Sequence, residues 1–445
     1  MEQQLNIFQE LYPTFKITKP IRLIELFAGY GSQNLALKYL NANYSHYKIS
    51  EWAVKSIKAY KDLHIKDDTD YSANLTDDEV LDFLVNKGVS IDYNTPATKQ
   101  QLKKLDFRNI FNNIKASNNL VNICNIKAKD LEIVNKDIYI YICSYSFPCQ
   151  DLSNAGLKKG MSDTSTRSGL LWEVERILKE CKEINSLPQV LLMENVPQVH
   201  QTSNLKDFNK WLLSLESLGY KNYFQDLNAK NYGIPQNRVR TFMVSILGDY
   251  NYDFPVSFKL KKYLKDLMEQ NVNEKYFLSQ KQLDSIVNWN AYEKPLEKLK
   301  RTDTSNISPT LTTRTGDYDA GIILIYDNTK KGYKEAKYSD GIDISSRMKS
   351  HRGTVQKGLA QTLLTTNSVG VVDKNNIRRL TPKESFRLQG LKEEDCDILI
   401  NTQTEPSCYH LAGDSICVSV LVSIFAKLLG IPDSEIKNII YSLYI

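Results

Sequence analysis

Three short polar stretches could carry chemistry, because each directly adjoins an apolar run typical of a buried strand. The stretch 144–153, "SYSFPCQDLS", follows "DIYIYI" and contains Cys149, while Glu194 in "ENV" follows "VLLM". Arg238 and Arg240 in "QNRVR" precede the run "TFMVSIL". A cysteine can act as a nucleophile, a carboxyl can transfer a proton, and guanidinium groups bind carbonyl and phosphate oxygens. The set predicts a catalytic site with Cys149 as nucleophile, Glu194 as proton donor to a heteroaromatic nitrogen, and the arginines as ligands of a pyrimidine carbonyl and a phosphate.

Each of these residues also has a structural interpretation when it is considered alone. A free cysteine is often a small packed side chain, and a glutamate at a strand end is often a cap or an ion-pair partner. Arg238 and Arg240 could lie on a solvated edge strand, although the alternation of a strand places both on one side. The shared position at strand ends favours the catalytic interpretation, because ligands bind at the carboxyl edge of parallel sheets.

A glycine-rich turn supplies a second candidate site. In "LIELFAGYGSQNLAL", Phe27, Gly29 and Gly31 lie between a strand-like run and a helical one, where glycine permits close approach of a ligand. Glu51 follows Gly31 by 20 residues at the end of the next strand, where an acid can bind ribose, and Trp52 beside it could stack on a purine. The last glycine of the dinucleotide fingerprint is absent, so S-adenosylmethionine is at least as plausible a ligand as a nicotinamide. The alternative is a purely structural turn.

The elements around these motifs predict two kinds of domain in the 445 residues. Strand-like and helical patterns alternate through residues 1–248, which predicts an α/β doubly wound sheet, with a polar helical insert at 61–129 to which we assign no chemistry. Residues 249–373 are rich in Lys, Asn, Thr and Gly and predict a smaller, mixed domain. Residues 374–445 regain helical periodicity and are expected to pack back on the first domain.

Composition narrows the class of protein. The seven cysteines form no CxxC pair and no histidine stands at metal spacing, so we predict neither a disulfide framework nor a metal site. The net charge of +5 permits a polyanionic partner without requiring one. No uncharged apolar run reaches the length of a membrane span and the start lacks a signal-peptide pattern, so we expect a soluble, cytoplasmic protein with no membrane partner.

Six motifs in a fixed order give the sequence a recognisable family pattern. They are "FAGYG", "PCQ", "ENV", "QNRVR", "RLTPKESFRLQG" and "GDSI", and they run from Ile21 to Gly430. In this order they resemble the DNA (cytosine-5)-methyltransferases of bacteria and phages. The resemblance implies a Rossmann-like AdoMet-dependent methyltransferase sheet (AdoMet being S-adenosylmethionine), and a target-recognition domain at 249–373.

The resemblance also implies a mechanism. Cys149 would add to carbon 6 of a cytosine flipped out of duplex DNA, while Glu194 protonates N3 and Arg240 holds O2. The activated carbon 5 would then take the methyl group, and loss of its proton would release 5-methylcytosine and S-adenosylhomocysteine.

Further site residues follow from the resemblance, motif by motif. The implied cofactor contacts are Phe27, Gly29, Gly31, Glu51, Trp52, Asn125, Pro148, Leu170, Asp414 and Ser415. The implied DNA contacts are Gln150, Ser153, Arg167, Gln236, Thr362 and Leu363, with "SPTLTT" at 308–313 as a rival for the last two. Two positions depart from the family: Asn125 stands for an aspartate that binds the adenine amine, and Asp414 for an asparagine.

The expected partner is double-stranded DNA, and the expected role is in restriction-modification beside an endonuclease or in a phage, with the protein acting as a monomer. Two alternatives stay open. RNA cytosine methylation by the same chemistry is disfavoured by the large middle domain. A binding-only protein is disfavoured by the intact Cys149, Glu194 and Arg240.

Overall fold

The computed structural model describes residues 12–148, 168–288, 322–345, 354–374 and 376–443. The rival motif at 308–313 therefore lies outside the described residues.

A six-stranded sheet forms the centre of the first domain. Its strands are β1 (Ile21–Leu26), β2 (Tyr44–Ser50), β3 (Ile140–Tyr145), β4 (Val190–Asn195), β5 (Tyr220–Asn228) and, after the short separate strand β6 (Gln236–Asn237), β7 (Val239–Leu247). The order is β2-β1-β3-β4-β7-β5, parallel from β2 to β4 and antiparallel where β7 pairs with β4 and β5. The carboxyl ends of β1 to β4 and the amino end of β7 thus lie on one edge of the sheet.

Helices cover both faces of this sheet because its central strands are mostly apolar. The covering helices from the first domain are α1 (Ser32–Tyr39), α2 (Val54–His64) and, further along the chain, α6 (Leu171–Glu183) and α7 (Leu205–Leu218). Every residue of β4 is buried, including Glu194 and Asn195 at its end. Those two polar side chains must therefore find partners inside the protein.

The predicted insert contains the helices α3 (Asp77–Lys87), α4 (Lys99–Leu102) and α5 (Phe107–Ala116). Thr76 and Glu79 form a capping box at the start of α3, as the sequence "TDDE" favours. Val80, Leu84 and Phe111 belong to a hydrophobic cluster of the insert, which also includes residues of α2. The insert is thus a packed unit that is joined to the sheet through α2.

The second domain has its own small sheets. It contains α8 (Gln280–Ile286), β8 (Ile323–Tyr326), β9 (Tyr333–Ala336), β10 (Gly341–Asp343), β11 (Val355–Gln356), β12 (Ala360–Gln361), β13 (Val369–Asp373) and β14 (Asn376–Arg379). Four strands form the order β11-β10-β13-β14, β8 pairs with β9, and β12 pairs with β6 of the first domain. Strand β14, which follows the boundary predicted at residue 373, pairs with β13.

The C-terminal part is helical, with α9 (Pro382–Arg387), α10 (Glu393–Thr402), α11 (Glu405–Asp414), α12 (Val418–Leu428) and α13 (Asp433–Leu443). The α12 side chains share one core with α1 and with β1 and β4. By length and composition the stretch Glu405–Leu428 could cross a membrane, but 89% of its most apolar window is buried inside the protein. That burial is typical of a core helix pair.

A buried ion-pair network ties the second domain to α9. The Arg378 guanidinium donates to both Glu384 carboxylate oxygens at 2.7 and 2.8 Å and pairs with Asp373 at 2.6 Å. Glu384 is also the capping-box residue of α9, with Thr381 as its N-cap. Arg378 and Glu384 are fully buried, so each charge depends on the other for its solvation.

We predict that Arg378→Met lowers the free energy of unfolding by about 3–5 kcal/mol, the usual cost of leaving one partner of a buried ion pair uncompensated. Urea unfolding followed by circular dichroism measures this change. Arg379→Met at the adjoining half-buried position is the control and should cost far less. Equal losses for the two variants would contradict the assigned role of Arg378.

Candidate active site

An ion pair joins two strands at the edge where the predicted site residues converge. Glu194 ends β4 and Arg240 lies at the start of β7, and the Arg240 Nε and Glu194 Oε1 atoms are 3.2 Å apart. The pairing of Glu194 with Phe242 in the β4–β7 register places the two side chains close together. The Glu194 side chain is 7% exposed and that of Arg240 16%, so the pair is largely shielded from solvent but still reachable.

The loop that leads to the predicted nucleophile is anchored on this pair. The Ser146 hydroxyl donates to the Glu194 carboxylate at 2.5 Å, and the Asn195 side-chain amide donates to the Phe147 carbonyl at 3.0 Å. Pro148 follows and is half-buried. The next residue is Cys149, which lies outside the described residues, as do Gln150, Ser153 and Arg167.

Arg238 does not share the position of Arg240, and the prediction of a catalytic Arg238 needs correction. Its guanidinium donates to the carbonyl oxygens of Leu363 at 3.1 Å, Gly413 at 3.0 Å and Ser415 at 2.7 Å. The residue is 3% exposed. A guanidinium buried among carbonyl groups is not available to a phosphate, so we assign Arg238 to the connection between the domains.

The physical reason is a break in the strand. The backbone N–H of Arg238 donates to the carbonyl of Gln236 at 3.0 Å, which turns the chain between β6 and β7. Alternation holds only along a continuous extended segment, so it fails across this turn. Arg238 and Arg240 therefore project in different directions.

Gln236 and Leu363 are likewise used inside the protein. The Gln236 amide donates to the Leu388 carbonyl at 2.7 Å and its oxygen accepts from the Leu363 backbone N–H at 3.1 Å. Gln236 is 0% exposed and the Leu363 side chain belongs to the main core. The prediction that these two side chains contact DNA is at odds with their burial. The half-buried Thr362 donates its hydroxyl to the Asn237 carbonyl at 2.8 Å.

The predicted glycine turn follows β1, and its backbone explains the residue choice. Phe27, Gly29 and Gly31 have φ values of 59°, 56° and 82°, in the left-handed region. A Cβ on Gly31 would approach His64 Nε2 to 2.5 Å and Tyr60 to 2.6 Å, so packing as well as conformation requires glycine there. A Cβ on Gly29 would meet nothing within 4 Å, so that side of the turn is open.

Glu51 holds the turn from the end of β2. Its Oε2 accepts from the Gly29 N–H at 2.9 Å and its Oε1 from the Ala53 N–H at 2.8 Å. Burial raises the pKa of Glu51 to about 7, although these backbone donors oppose the shift. Trp52 beside it is half-buried and packs against the insert's hydrophobic cluster. Glu51 thus contacts the open turn, as predicted, and Trp52 is the next residue in the chain.

A buried carboxyl beneath the turn escaped the sequence interpretation. Glu25 in β1 accepts from the Asn34 backbone N–H at 3.3 Å and from the Tyr60 hydroxyl at 2.6 Å. The Tyr60 hydroxyl also lies 2.9 Å from His46 Nδ1, and His46 Nε2 lies 2.7 Å from the Ser117 carbonyl. Burial raises the pKa of Glu25 to about 7. The signal for Glu25 was an acid inside the apolar run "IRLIELF". The contact of Ser146 with Glu194 was missed as well, and its signal was a polar residue three positions before the predicted nucleophile.

Asp414 interacts electrostatically with both parts of the candidate site. It ends α11, and its carboxylate is 3.4 Å from His410 Nδ1. It is also within electrostatic range of Glu51 on one side and of Glu194 and Arg240 on the other. Solvent reaches 53% of its side chain, yet the surrounding protein desolvates the recess enough to raise the pKa of Asp414. The Gly29–Glu51 turn and the Glu194–Arg240 pair are therefore both near Asp414, and we call the region bounded by these residues the recess.

The other predicted cofactor residues differ in solvent exposure. The buried Ser415 donates its hydroxyl to the Leu411 carbonyl at 2.5 Å. Leu170 is half-buried beside a hydrophobic cluster. Asn125 is exposed on a short 3₁₀ segment, so its assignment stays a prediction.

Sequence comparison assigns the family. The profile described as "C-5 cytosine-specific DNA methylase" matches residues 99–430. The chain belongs to this family. It is 34% identical over 418 residues to type II methyltransferase M2.ScrFI of Lactococcus lactis subsp. cremoris, with 92% of this chain and 99% of that protein covered. It is 32% identical to orphan methyltransferase M.SssI of Spiroplasma monobiae, covering 93% and 98%.

Solved structures agree on the fold of this methylase. An Entamoeba histolytica methyltransferase, EhMeth, aligns with a TM-score of 0.52 at 16% identity, covering 93% of this chain and 99% of that one. The Dnmt2 methyltransferase of S. pombe aligns with a TM-score of 0.52 at 14% identity, covering 92% and 98%. The predicted α/β methyltransferase fold and the predicted enzyme class, DNA (cytosine-5)-methyltransferase, are both confirmed.

The two arginines of "QNRVR" should separate activity from stability. We predict that Arg240→Gln lowers kcat at least about tenfold by removing the partner of Glu194, with a smaller fall in the unfolding midpoint than Arg238→Gln causes. Arg238→Gln should lower the unfolding midpoint, because three carbonyl groups lose their donor. Single-turnover kinetics and thermal unfolding measure the two effects. The opposite pattern of losses would contradict the roles assigned to the two arginines.

Glu25 should make stability depend on pH. A carboxyl with a raised pKa stabilises the fold at low pH, and this contribution disappears as pH rises through the folded pKa of about 7. We predict that the stability advantage of wild type over Glu25→Gln falls by about 2 kcal/mol between pH 5.5 and pH 8. Urea unfolding across this range measures it. The exposed cap variant Glu79→Gln should show a pH-independent difference, and a similar result for Glu25→Gln would refute the prediction.

Proposed function

We propose that the chain methylates carbon 5 of a cytosine flipped out of double-stranded DNA, through a covalent bond between Cys149 and carbon 6. One observation carries the proposal. The Glu194–Arg240 pair, which also anchors the loop leading to Cys149, lies at the same edge of the sheet as the glycine turn and Glu51. A proton donor, a carbonyl ligand and a nucleotide-type turn are the parts that this reaction needs in one place.

The residues at the turn fit S-adenosylmethionine. The open side of Gly29 leaves room for a ligand, and the carboxyl groups of Glu51 and Asp414 suit a molecule with ribose hydroxyls and a cationic end. When bound, S-adenosylmethionine supplies an electrophilic methyl group. The residues that would hold it are those of the turn, Glu51, Trp52 and Asp414.

Carbon 5 of cytosine is a weak nucleophile, so the ring must first gain electrons. In the proposed mechanism the Cys149 thiolate forms a bond to carbon 6, and the ring electrons move towards N3. N3 takes a proton shared with the Glu194 carboxyl, and the Arg240 guanidinium holds O2. Carbon 5 then takes up the methyl group and gives its proton to water, and the electrons of that C–H bond re-form the double bond between carbons 5 and 6. The bond between Cys149 and carbon 6 breaks, and N3 returns its proton to Glu194.

The contacts of Glu194 suit this role. The Ser146 hydroxyl fixes one carboxylate oxygen and Arg240 the other, so the group has a defined orientation at the sheet edge. Since Arg240 lies on a strand of the rigid sheet, its distance from Glu194 is held by backbone pairing. Such preorganisation avoids the cost of orienting these groups during the reaction.

Access to the ring atoms requires base flipping, because a stacked cytosine cannot enter the recess. In this proposal residues 249–373, together with the paired strand β14, read the DNA sequence, and Gln150, Ser153, Arg167 and Thr362 contact the nucleic acid. The enzyme would act as a monomer in the cytoplasm. The name of the relative M2.ScrFI supports a type II setting with a paired restriction endonuclease, whereas that of M.SssI supports an orphan enzyme.

We predict that purified protein transfers tritiated methyl groups from S-adenosylmethionine to duplex DNA but not to tRNA. Cys149→Ala should abolish transfer and keep DNA affinity, because it removes the nucleophile alone. Cys124→Ala, at an exposed cysteine, is the matched control and should label DNA normally. Labelling of tRNA as strong as that of DNA would overturn the substrate. Wild-type protein that binds DNA without labelling it would overturn the activity.

The covalent bond has its own readout in the same experiment. Duplex DNA with 5-fluorocytosine at the target should form an adduct stable to denaturing gels, since fluorine at carbon 5 cannot leave as a proton does. Adduct formation by the Cys149→Ala variant would identify a different nucleophile.

A further inference from the structure

The helical insert, for which the sequence predicts no chemistry, is bound to the backbone of Glu51. Asn119 at the end of the insert accepts from the Glu51 N–H at 3.0 Å and donates to the Glu51 carbonyl at 2.8 Å. Ser90 accepts from the Val54 N–H at 2.9 Å and donates to the Trp52 carbonyl at 2.8 Å. The segment that ends β2 is therefore held on both sides by residues of the insert.

Tyr93, close to this attachment in the insert, contacts the C-terminal helices. Its φ of 63° is rare for an aromatic residue and persists only where the surroundings fix it. The ring stacks on His410 of α11, with centroids 4.1 Å apart and an interplanar angle of 21°. The hydroxyl lies 3.4 Å from Ser56 Oγ. This stack is a direct contact between the insert and the C-terminal helices.

The contact continues to the carboxyl groups of the recess. His410 lies one helical turn before Asp414, and their side chains are 3.4 Å apart. Burial raises the pKa of the Tyr93 hydroxyl, and the nearby Glu51 and Asp414 carboxylates add to the rise. Tyr93 is therefore close to both acids. Contacts therefore run from Glu51 through the insert, Tyr93 and His410 to Asp414, which is in turn within electrostatic range of Glu51.

We propose that the insert forms one wall of the cofactor site, in which Tyr93 and His410 are positioning residues that hold Asp414 opposite Glu51. This proposal rests on the proposed binding of S-adenosylmethionine at this recess. Two carboxylates fixed at the rim complement a ligand that carries a sulfonium and an ammonium group. Loss of the Tyr93–His410 stack would release Asp414 and open one side of the cofactor site. S-adenosylmethionine would then dissociate faster, without any change in the Glu194–Arg240 pair.

Isothermal titration of S-adenosylmethionine and S-adenosylhomocysteine into the full chain tests this role. Tyr93→Ala should raise the Kd for S-adenosylmethionine about three- to tenfold, the effect expected of one aromatic pair. Tyr93→Phe keeps the ring and should bind within about twofold of wild type. Tyr71→Ala, at an exposed tyrosine of the same insert, is the matched control and should also bind normally.

Kinetics separate positioning from catalysis. The KM for S-adenosylmethionine should rise in Tyr93→Ala, while kcat at saturation and the Kd for duplex DNA stay within about twofold of wild type. If Tyr93→Ala does not fold, His410→Phe gives the second test, because it keeps a ring for Tyr93 and removes the pair with Asp414. It should weaken S-adenosylmethionine more than the neutral S-adenosylhomocysteine.

The outcomes distinguish the two proposals. Wild-type protein that fails to bind S-adenosylmethionine would overturn the proposed function. Wild-type binding with equal affinity in folded Tyr93→Ala or His410→Phe would overturn the role of the insert alone. A fall in kcat with unchanged KM would also overturn it, because the stack would then act on the chemical step.

Discussion

The ion pair between Glu194 and Arg240 is the interaction on which the site depends. It exists because β7 runs antiparallel to β4, which brings the amino end of β7 to the edge where the parallel strands finish. A parallel strand would place Arg240 at the opposite edge. The same carboxylate holds the Ser146 hydroxyl, so the loop before Cys149 is built on this pair. A change in either partner would thus disturb the proton donor and the approach to the nucleophile together.

Buried polar side chains join the two domains behind this edge. Gln236 and Arg238 hold both backbone groups of Leu363, and Arg238 also holds the carbonyls on either side of Asp414. A Cβ on Gly413 would collide with the backbone of Leu364. Helix α11 and the segment at Leu364 therefore lie too close together for any side chain at residue 413. Arg238 therefore fixes both Leu363, in the segment expected near DNA, and residues 413–415, in the segment expected near the cofactor. Any relative motion of the two domains must break the hydrogen bonds of Gln236 and Arg238 or move the bonded segments together.

The cofactor side is built from backbone conformation and buried acids. The left-handed turn allows the Gly29 N–H to reach Glu51, and Glu25 accepts from the start of α1 below it. Burial makes both carboxyl groups reluctant to ionise, so the turn is sensitive to pH as well as to sequence. The insert adds a third support through Asn119 and Tyr93. The recess thus draws on segments that are far apart in the chain.

Much of this was predictable from local pattern. Apolar runs and glycine spacing predicted the α/β sheet and the turn, and the polar residues at strand ends predicted that Glu194 and Arg240 lie at one edge. These predictions succeed because burial and backbone conformation are properties of neighbouring residues. Local pattern did not reveal that Gln236, Arg238 and Leu363 have hydrogen-bond partners inside the protein.

The sequence by itself determined which elements form and which chemical groups stand at their ends. Only the tertiary structure decided which of those groups meet. The turn at Arg238 sent one arginine into the domain junction and left the other beside Glu194, and the packing of α11 brought His410 and Asp414 to Tyr93 and Glu51. The physical reason is that a hydrogen bond or ion pair depends on distances of a few ångströms between segments that the sequence separates by tens to hundreds of residues.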